Sequence, residues 1–261
     1  MPLQILSKNQ FKFLSSLKTS KSRKKYNLFI AEGEKLVIDL IQSGLSPHSI
    51  VAYPEIFESH VFLEKKYNDK CLLIKEKDMD RLSALKSPSP VFAAFSCWEK
   101  DYDYELPSKE WVLLLDQIKD PGNMGTIIRT ADWFGIKHIV CTNNCVETFN
   151  PKLIQSTMGS IARVNVYHLE LTDILNNLNE NIPMYGTLLE GKNLYQQQLK
   201  PNGYIITGNE SKGISSELIK VINHPIHIPA GQKIHAESLN ASIATAIVCG
   251  EFFRQKNSIN E

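Results

Sequence analysis

The sequence predicts an α/β protein whose second half is built on a mostly parallel sheet. Short apolar runs rich in Val, Ile and Leu recur along the chain, and helical patterns follow most of them. This alternation is typical of parallel sheets that are covered by helices on both faces. Several of the apolar runs also stop abruptly at Gly, Asn, Glu or Ser, which is where an α/β protein binds ligands, beyond the carboxyl ends of its strands.

The first hundred residues predict a small α/β layer. We expect helices at 4–17, 34–43, 55–67 and 78–85, and strands at 28–31, 49–52, 71–74 and 91–95. The stretch 99–109 is highly charged and contains Pro107, which breaks the periodicity. We therefore expect a first domain at 1–100, a linker at 101–110 and a second domain at 111–261.

The second domain shows the more regular alternation. We expect strands at 111–116, 138–142, 163–167, 184–188, 204–207 and 225–228. After the first of these strands, Asn123 is placed to cap a helix that begins at Met124. The buried stripe of this helix is expected to comprise Met124, Ile127, Ile128, Ala131 and Phe134. Arg129 lies off the stripe and, from this segment alone, is either a solvated helix residue or a functional one.

Two further turns carry polar residues at the ends of apolar runs. Gly208, Asn209 and Glu210 directly follow a strand, and the glycine would let a ligand approach the backbone. The glutamate is either a surface carboxylate or a site residue. The second of these turns contains Ser238 and Asn240, and Asn240 precedes a helix expected at 241–253. This helix is apolar nearly all round, so we predict that it lies in the core or against another subunit.

Composition excludes several classes of protein. The chain has 261 residues, of which 43% are apolar and 22% charged, and no apolar run reaches the roughly 18 residues that a membrane span needs. The N-terminus is too polar for a secretory signal, so we expect a cytoplasmic protein. Its five cysteines are expected to be free thiols. Cys141 and Cys145 have no second Cys or His pair nearby, so we expect no metal site.

Charge is distributed unevenly along the chain. Residues 1–100 hold 16 Lys and Arg against 11 Asp and Glu, whereas residues 101–261 hold 13 against 17. Within the basic half, a dense cluster contains Lys21, Arg23, Lys24 and Lys25. Such a cluster either is a solvated helix end or neutralises the phosphates of a nucleic acid.

The joint order of the polar segments resembles the SpoU class, TrmH-like, of RNA 2′-O-ribose methyltransferases in the SPOUT superfamily. The family's first motif, N-x-G-x3-R, is matched by Asn123, Gly125 and Arg129, and its G-N-E motif by Gly208, Asn209 and Glu210. Its third motif combines I-P with S-L-N, which match Ile228, Pro229, Ser238, Leu239 and Asn240. The stretch 150–166 also looks like the family's intervening helix and strand. The match spans 111–254.

This resemblance implies a second domain with a deep trefoil knot, S-adenosylmethionine as cofactor and no metal. The implied cofactor-binding residues are Thr207, Gly208, Asn209, Ile228, Pro229 and Leu239. Arg129 is implied to act on the ribose 2′-hydroxyl, and because arginine stays protonated we expect it to position and stabilise the developing alkoxide. The implied supporting residues are Asn123, Glu210, Ser238 and Asn240, which would orient Arg129 and the ribose.

The first domain resembles the small substrate-binding domain of many SpoU enzymes, on the stretch 23–35. The implied partner is RNA, bound by Lys21, Arg23, Lys24 and Lys25, and we favour ribosomal over transfer RNA. A homodimer through the knotted domain is also implied. The alternatives are a tRNA methyltransferase, an enzyme that methylates a base nitrogen and a non-catalytic RNA-binding protein. The loop 230–237 is longer than the common family spacing, and we expect its His235 to be a loop residue rather than a base.

Overall fold

The structure is a computed structural model, and it describes residues 3–231 and 237–258. The chain divides into two compact units, the first formed by Met1–Glu99 with Thr148–Ala162 and the second by Lys100–Glu147 with Arg163–Glu261. The segment Thr148–Ala162 therefore clusters with the first unit, although it follows the predicted linker in the chain.

The first unit contains a five-stranded mixed sheet. Its strands are β1 (Gln4–Ile5), β2 (Leu28–Glu32), β3 (Pro47–Ala52), β4 (Cys71–Leu73) and β5 (Val91–Ser96). Its helices are α1 (Lys8–Ser16), α2 (Ser20–Tyr26), α3 (Glu34–Gln42), α4 (Pro54–Ser59), α5 (Val61–Tyr67), α6 (Glu76–Leu82) and α9 (Pro151–Thr157). The strand order is β1-β4-β3-β5-β2, and β5 runs antiparallel to both of its neighbours.

Three features of this unit differ from the prediction. The first predicted helix starts later, at Lys8, where Ser7 and Gln10 form a capping box. The basic cluster forms a helix of its own, α2, which Thr19 caps. The helix predicted at 55–67 is two helices, because the backbone at His60 (φ −122°, ψ 60°) leaves the helical region.

The second unit contains a six-stranded sheet in which every pairing is parallel. Its strands are β6 (Trp111–Leu115), β7 (His138–Thr142), β8 (Asn165–Leu169), β9 (Met184–Asn193), β10 (Gly203–Thr207) and β11 (His224–His227). Its helices are α7 (Leu106–Lys109), α8 (Pro121–Trp133), α10 (Leu171–Asn176), α11 (Ser216–Ile219) and α12 (Ala241–Ser258). The strand order is β11-β9-β10-β6-β7-β8. The predicted α/β class with a parallel sheet is thus confirmed.

The centre of this sheet positions the site. Strands β6 and β10 are neighbours, are buried along their whole length, and pair in the register that sets Leu115 opposite Thr207. Since they are parallel, the segments that follow them leave the sheet at the same edge. Two polar segments that are far apart in sequence therefore start side by side.

The predicted linker contributes to the second unit. It contains α7, and the hydroxyl of Tyr102 lies 3.1 Å from that of Tyr204 on β10. Burial is the main reason why the pKa of Tyr102 is raised. The five cysteines are free thiols, as predicted. Within the described ranges, no helix is long and apolar enough to cross a membrane.

Candidate active site at the carboxyl ends of β6 and β10

Helix α8 begins earlier than the sequence predicted. Asp120 is its N-cap and accepts a hydrogen bond from the backbone N–H of Asn123 (2.8 Å), while Pro121 takes the first helical position. The prediction that Asn123 caps this helix was therefore wrong. Because Asp120 supplies the cap, the Asn123 side chain is available for contacts outside the helix.

The Asn123 side chain joins two segments that are remote in sequence. Its Nδ2 donates a hydrogen bond to Oε1 of Glu210, and its Oδ1 accepts one from Nδ2 of Asn240 (3.0 Å). Oδ1 of Asn240 in turn accepts from the backbone N–H (3.0 Å) and hydroxyl (2.6 Å) of Ser242 at the start of α12. We call this series of hydrogen bonds, Ser242–Asn240–Asn123–Glu210, the amide relay. In each bond the donor is the residue farther from the Glu210 carboxylate. The relay therefore brings together one residue from each of the three predicted motifs.

The turn after β10 is closed by its own backbone. Asn209 and Gly213 exchange two hydrogen bonds (3.0 and 2.9 Å), and Oδ1 of Asn209 accepts from the N–H groups of Ser211 and Lys212. A Cβ on Gly208 would lie 2.3 Å from backbone atoms of Gly213. Glycine is thus required because the chain approaches itself here, whereas the sequence interpretation assigned this space to a ligand.

Two residues that the sequence interpretation missed, Asp116 and Gln117, anchor this turn to the end of β6. Asp116 is buried, and its carboxylate accepts from the backbone N–H of Ser215 (2.7 Å) and the hydroxyl of Thr142 (3.1 Å). The carbonyl of Gln117, a residue with φ of 57°, accepts from Nδ2 of Asn209 (3.0 Å). The position of Asp116 directly after a buried strand was the signal that could have identified it.

Arg129 lies on α8, beyond the relay. The predicted stripe of Met124, Ile127, Ile128 and Ala131 is fully buried, and Phe134 is half-buried. Arg129 is exposed, as its position off the stripe predicts. In the described part of the chain its guanidinium has neither a hydrogen bond nor an ion pair. It is therefore free to bind an anionic or hydroxyl-bearing ligand.

The remaining predicted site residues lie around the same segments. Thr207 is buried, and its hydroxyl accepts from that of Thr245 on α12 (3.2 Å). Ile228 is half-buried and Pro229 exposed, directly after β11. Ser238 is exposed, and Leu239 keeps 46% of its surface exposed. His235 lies outside the described residues.

This arrangement offers two kinds of surface to ligands. The ends of β10 and β11 and the approach to α12 supply backbone groups with exposed apolar side chains such as Leu239. An uncharged aromatic ligand would find few competing polar side chains there. The relay and Arg129 supply a carboxylate, two amides and a cation. The combination can hold a flat apolar ligand beside a polar reacting group.

The basic cluster of the first unit is only partly exposed. Lys21, Lys24 and Lys25 are exposed on α2. Arg23 is 4% exposed, and its guanidinium donates to the carbonyls of Leu17 (3.0 Å) and Lys18 (2.9 Å). Burial lowers its pKa. Arg23 therefore stabilises the α1–α2 connection, and we remove it from the residues expected to contact phosphates.

Comparison with protein families gives two matches along the chain. Residues 110–250 match the SpoU rRNA Methylase family. Residues 8–93 match the MRM3-like substrate binding domain. The first match includes the relay and Arg129, and the second includes α2.

Individual relatives are similar over nearly the whole chain. A Bacillus subtilis (strain 168) protein named 23S rRNA (guanosine(2553)-2′-O)-methyltransferase RlmP is 31% identical over 93% of this chain and 95% of its own. A Porphyromonas gingivalis structure assigned to the TrmH family of RNA methyltransferases shows 35% identity and a TM-score of 0.85, covering 96% of this chain and 99% of its own. An AdoMet-bound rRNA methyltransferase from Sinorhizobium meliloti shows 27% identity and a TM-score of 0.81, covering 97% of each chain.

Proposed function

This chain belongs to the SpoU rRNA Methylase family, and from that premise we propose that it methylates a ribose 2′-hydroxyl in ribosomal RNA, with S-adenosylmethionine as the methyl donor. The observation that carries the proposal is the amide relay, because it joins one residue of each family motif at the edge of the sheet. We favour ribosomal RNA because the Bacillus subtilis relative, similar over nearly its full length, is named for 23S rRNA.

The residues at the carboxyl ends of β10 and β11 fit the cofactor. Backbone groups around Gly208 and Ile228, with the exposed side chain of Leu239, would hold the adenine and ribose. When bound, S-adenosylmethionine supplies an electrophilic methyl group, which the ribose 2′-oxygen takes as the carbon–sulfur bond breaks and its electron pair stays on sulfur.

Arg129 is the residue we assign to the reacting hydroxyl. A 2′-hydroxyl is a poor nucleophile, so its proton must pass to solvent water as the new bond forms. The guanidinium stays protonated, and its donors would hold the oxygen in place and stabilise the negative charge that develops there. The relay would orient the ribose, with Asn123 and Asn240 fixed by Glu210 and Ser242, and Ser238 would add a hydroxyl.

The two units divide the work in this proposal. Residues 1–100 bind the RNA, with Lys21, Lys24 and Lys25 of α2 contacting phosphates. Residues 111–261 bind the cofactor and catalyse the methyl transfer. The family resemblance implies that their fold contains a trefoil knot. We place the reaction in the cytoplasm, where ribosomal RNA is available.

We propose that the enzyme acts as a homodimer through the second unit. Trp133 at the end of α8 is 84% exposed, and on α12 Ile243 and Phe253 are 51% and 38% exposed. Phe134 packs against Phe253, with ring centroids 5.5 Å apart, so α8 and α12 contact each other through apolar side chains. Exposed apolar surfaces of this kind favour association with a second copy. Sedimentation should show a dimer that Ile243→Glu dissociates, whereas Leu189→Glu, at an 82% exposed position on β9, should leave it intact.

Methyl transfer from labelled cofactor to RNA tests the activity. Purified chain should convert unmodified ribosomal RNA to a product that yields one 2′-O-methylated nucleoside on digestion. Transfer RNA supplied as the only substrate tests the main alternative, a tRNA methyltransferase. Methylation of a base would contradict the assignment of Arg129, and binding without methylation would support a non-catalytic RNA-binding protein.

A further inference from the structure

The first unit contains a cavity of about 200 Å³ that has no part in the site described above. It is lined by residues of α1, β3, β4 and the 3-10 turn Asn68–Lys70. The side chains that matter for its chemistry are Gln10, Phe13, His48, Ser49, Asp69 and Lys70. Its volume is below the roughly 300–1,000 Å³ of pockets for drug-sized ligands, so it suits a single ring system.

Two flat rings form one wall of this cavity. The rings of Phe13 and His48 lie with centroids 5.7 Å apart and planes inclined by 46°. Burial, and after it the charge of Lys70, lower the pKa of His48 and so favour its uncharged imidazole. Uncharged aromatic rings are the surfaces on which proteins stack unpaired bases.

The other walls carry hydrogen-bonding groups. Oε1 of Gln10 accepts hydrogen bonds from the backbone N–H and hydroxyl of Ser7 (2.9 and 2.7 Å). The side-chain NH₂ of Gln10 is therefore the group left to donate to a ligand. Ser49, Asp69 and Lys70, whose ammonium also donates to the hydroxyl of Ser46 (3.1 Å), complete the polar lining. A ring with both kinds of group on its edge, as every nucleobase has, could pair with such a lining.

An aromatic series connects the cavity to the lysines of α2. Tyr26, the last residue of α2, is 41% exposed and packs edge-on against Phe13, with centroids 5.0 Å apart. The ammonium of Lys25 lies 5.0 Å from the Tyr26 ring centroid. An RNA strand whose phosphates contact α2 would thus have its bases close to Tyr26, Phe13 and His48.

We propose that this cavity takes up one unpaired nucleobase of the RNA substrate while the lysines of α2 bind the flanking phosphates. The inference rests on the proposed RNA-directed function, and it assigns the first unit a preference for a bulged or looped nucleotide. Base stacking on an aromatic side chain favours binding by about tenfold or more.

The test uses the full chain and two RNA hairpins that differ only in a single 2-aminopurine bulge. The bulged hairpin should bind about tenfold more tightly than the paired one, with a change in 2-aminopurine fluorescence on binding. His48→Ala should remove the preference, and His48→Phe, which keeps a flat ring, should restore it. His60→Ala is the matched control, because His60 is also paired with a phenylalanine, Phe62, but does not line the cavity.

The outcomes separate this inference from the proposed function. Equal binding of both hairpins by wild type and His48→Ala, with methylation of ribosomal RNA intact, would overturn the base site alone. Failure of the chain to bind or methylate any RNA would overturn both. Adenosine or uridine monophosphate binding more tightly than the bulged hairpin would show a site for free nucleotides and overturn the assignment to RNA.

Discussion

Helices α2 and α8 each carry an arginine that the sequence marks as functional, and the structure gives the two residues opposite environments. Arg23 on α2 is 4% exposed and donates to two backbone carbonyls. Arg129 on α8 is exposed and, among the described residues, has no hydrogen-bond or ion-pair partner. A buried, paired arginine stabilises the fold, whereas an exposed, unpaired one is available to a substrate. The two residues therefore predict opposite results for mutation.

The largest expected effect is that of Arg129→Ala on methyl transfer. Removing a donor that stabilises the developing negative charge costs about 100- to 1,000-fold in rate, so we expect at least about 100-fold loss at saturating RNA and cofactor. Lysine should rescue poorly, because it lacks the planar fork of arginine. Single-turnover methyl transfer is the measurement, with circular dichroism and cofactor titration as checks that fold and cofactor affinity are retained.

The control for Arg129 is Lys137→Ala. Lys137 is also an exposed cation, but it precedes β7 and so lies at the sheet edge opposite the site. This variant should keep full activity. A loss of methyl-transfer activity below about tenfold in Arg129→Ala would show that Arg129 takes no part in the reaction. Neither arginine would then have a catalytic role.

Breaking the relay should have the next largest effect. Asn123→Ala removes the amide that joins Glu210 to Asn240, and hydrogen bonds to charged groups contribute about 1.5–3 kcal/mol, so we expect about 10- to 100-fold slower methyl transfer. Thr126→Ala, on the exposed side of the same helix, is the control. Asn240→Ala should have a similar effect, and the double variant should lose little more than either single one. Full additivity would show that the two amides act separately.

Arg23→Met should affect stability and spare the reaction. It leaves the carbonyls of Leu17 and Lys18 without their donor, which we expect to lower the free energy of unfolding by about 2 kcal/mol. Lys24→Met, at an exposed position on the same helix, should change it by less than about 0.5 kcal/mol. Urea denaturation compares the two variants. Unchanged stability in Arg23→Met, together with weaker RNA binding, would return Arg23 to the phosphate-binding cluster.

The central strands of the second unit, β6 and β10, could be predicted from the sequence because they are short and mostly apolar, whereas β9 has ten residues and ends in polar ones. Runs such as Trp111–Leu115 and Gly203–Thr207 are buried at every position, and each ends at a polar turn. Helix starts were harder. Asp120 and Asn123 are both good N-caps, and only the structure shows that Pro121 takes the first helical position and releases the Asn123 side chain.

Contacts between distant segments are what residue patterns alone could not supply. Asn123 is separated from Glu210 by 87 positions and from Asn240 by 117. The motifs indicated that these residues belong to one site, but not which side chains bond directly. At Arg23 the sequence suggested a contact with RNA, and the structure shows a contact within the protein instead. A run of Lys and Arg looks uniformly solvated, and no pattern distinguishes the one member whose side chain turns back toward the carbonyls of Leu17 and Lys18.

The smallest expected effect is on RNA binding, and it compares the exposed lysines of α2 with the buried Arg23 of the same helix. Lys21, Lys24 and Lys25 are the exposed cations of the helix that Arg23 stabilises. Changing all three to Gln should weaken RNA binding about tenfold and reduce the slope of log K against log salt by about two to three, because fewer counterions are released. Stability and cofactor affinity should not change, since none of the three side chains is buried.

The matched control for this triple variant is the change of Lys65, Lys75 and Lys77 to Gln. These lysines are exposed in the same unit but lie on or next to α5 and α6, so the loss of net charge is the same and only its position differs. Filter binding across a salt series measures both variants. If RNA contacts α2, the slope falls only in the first variant. An equal fall in both would show that RNA senses the overall charge of the unit, because long-range attraction does not depend on which lysines supply it.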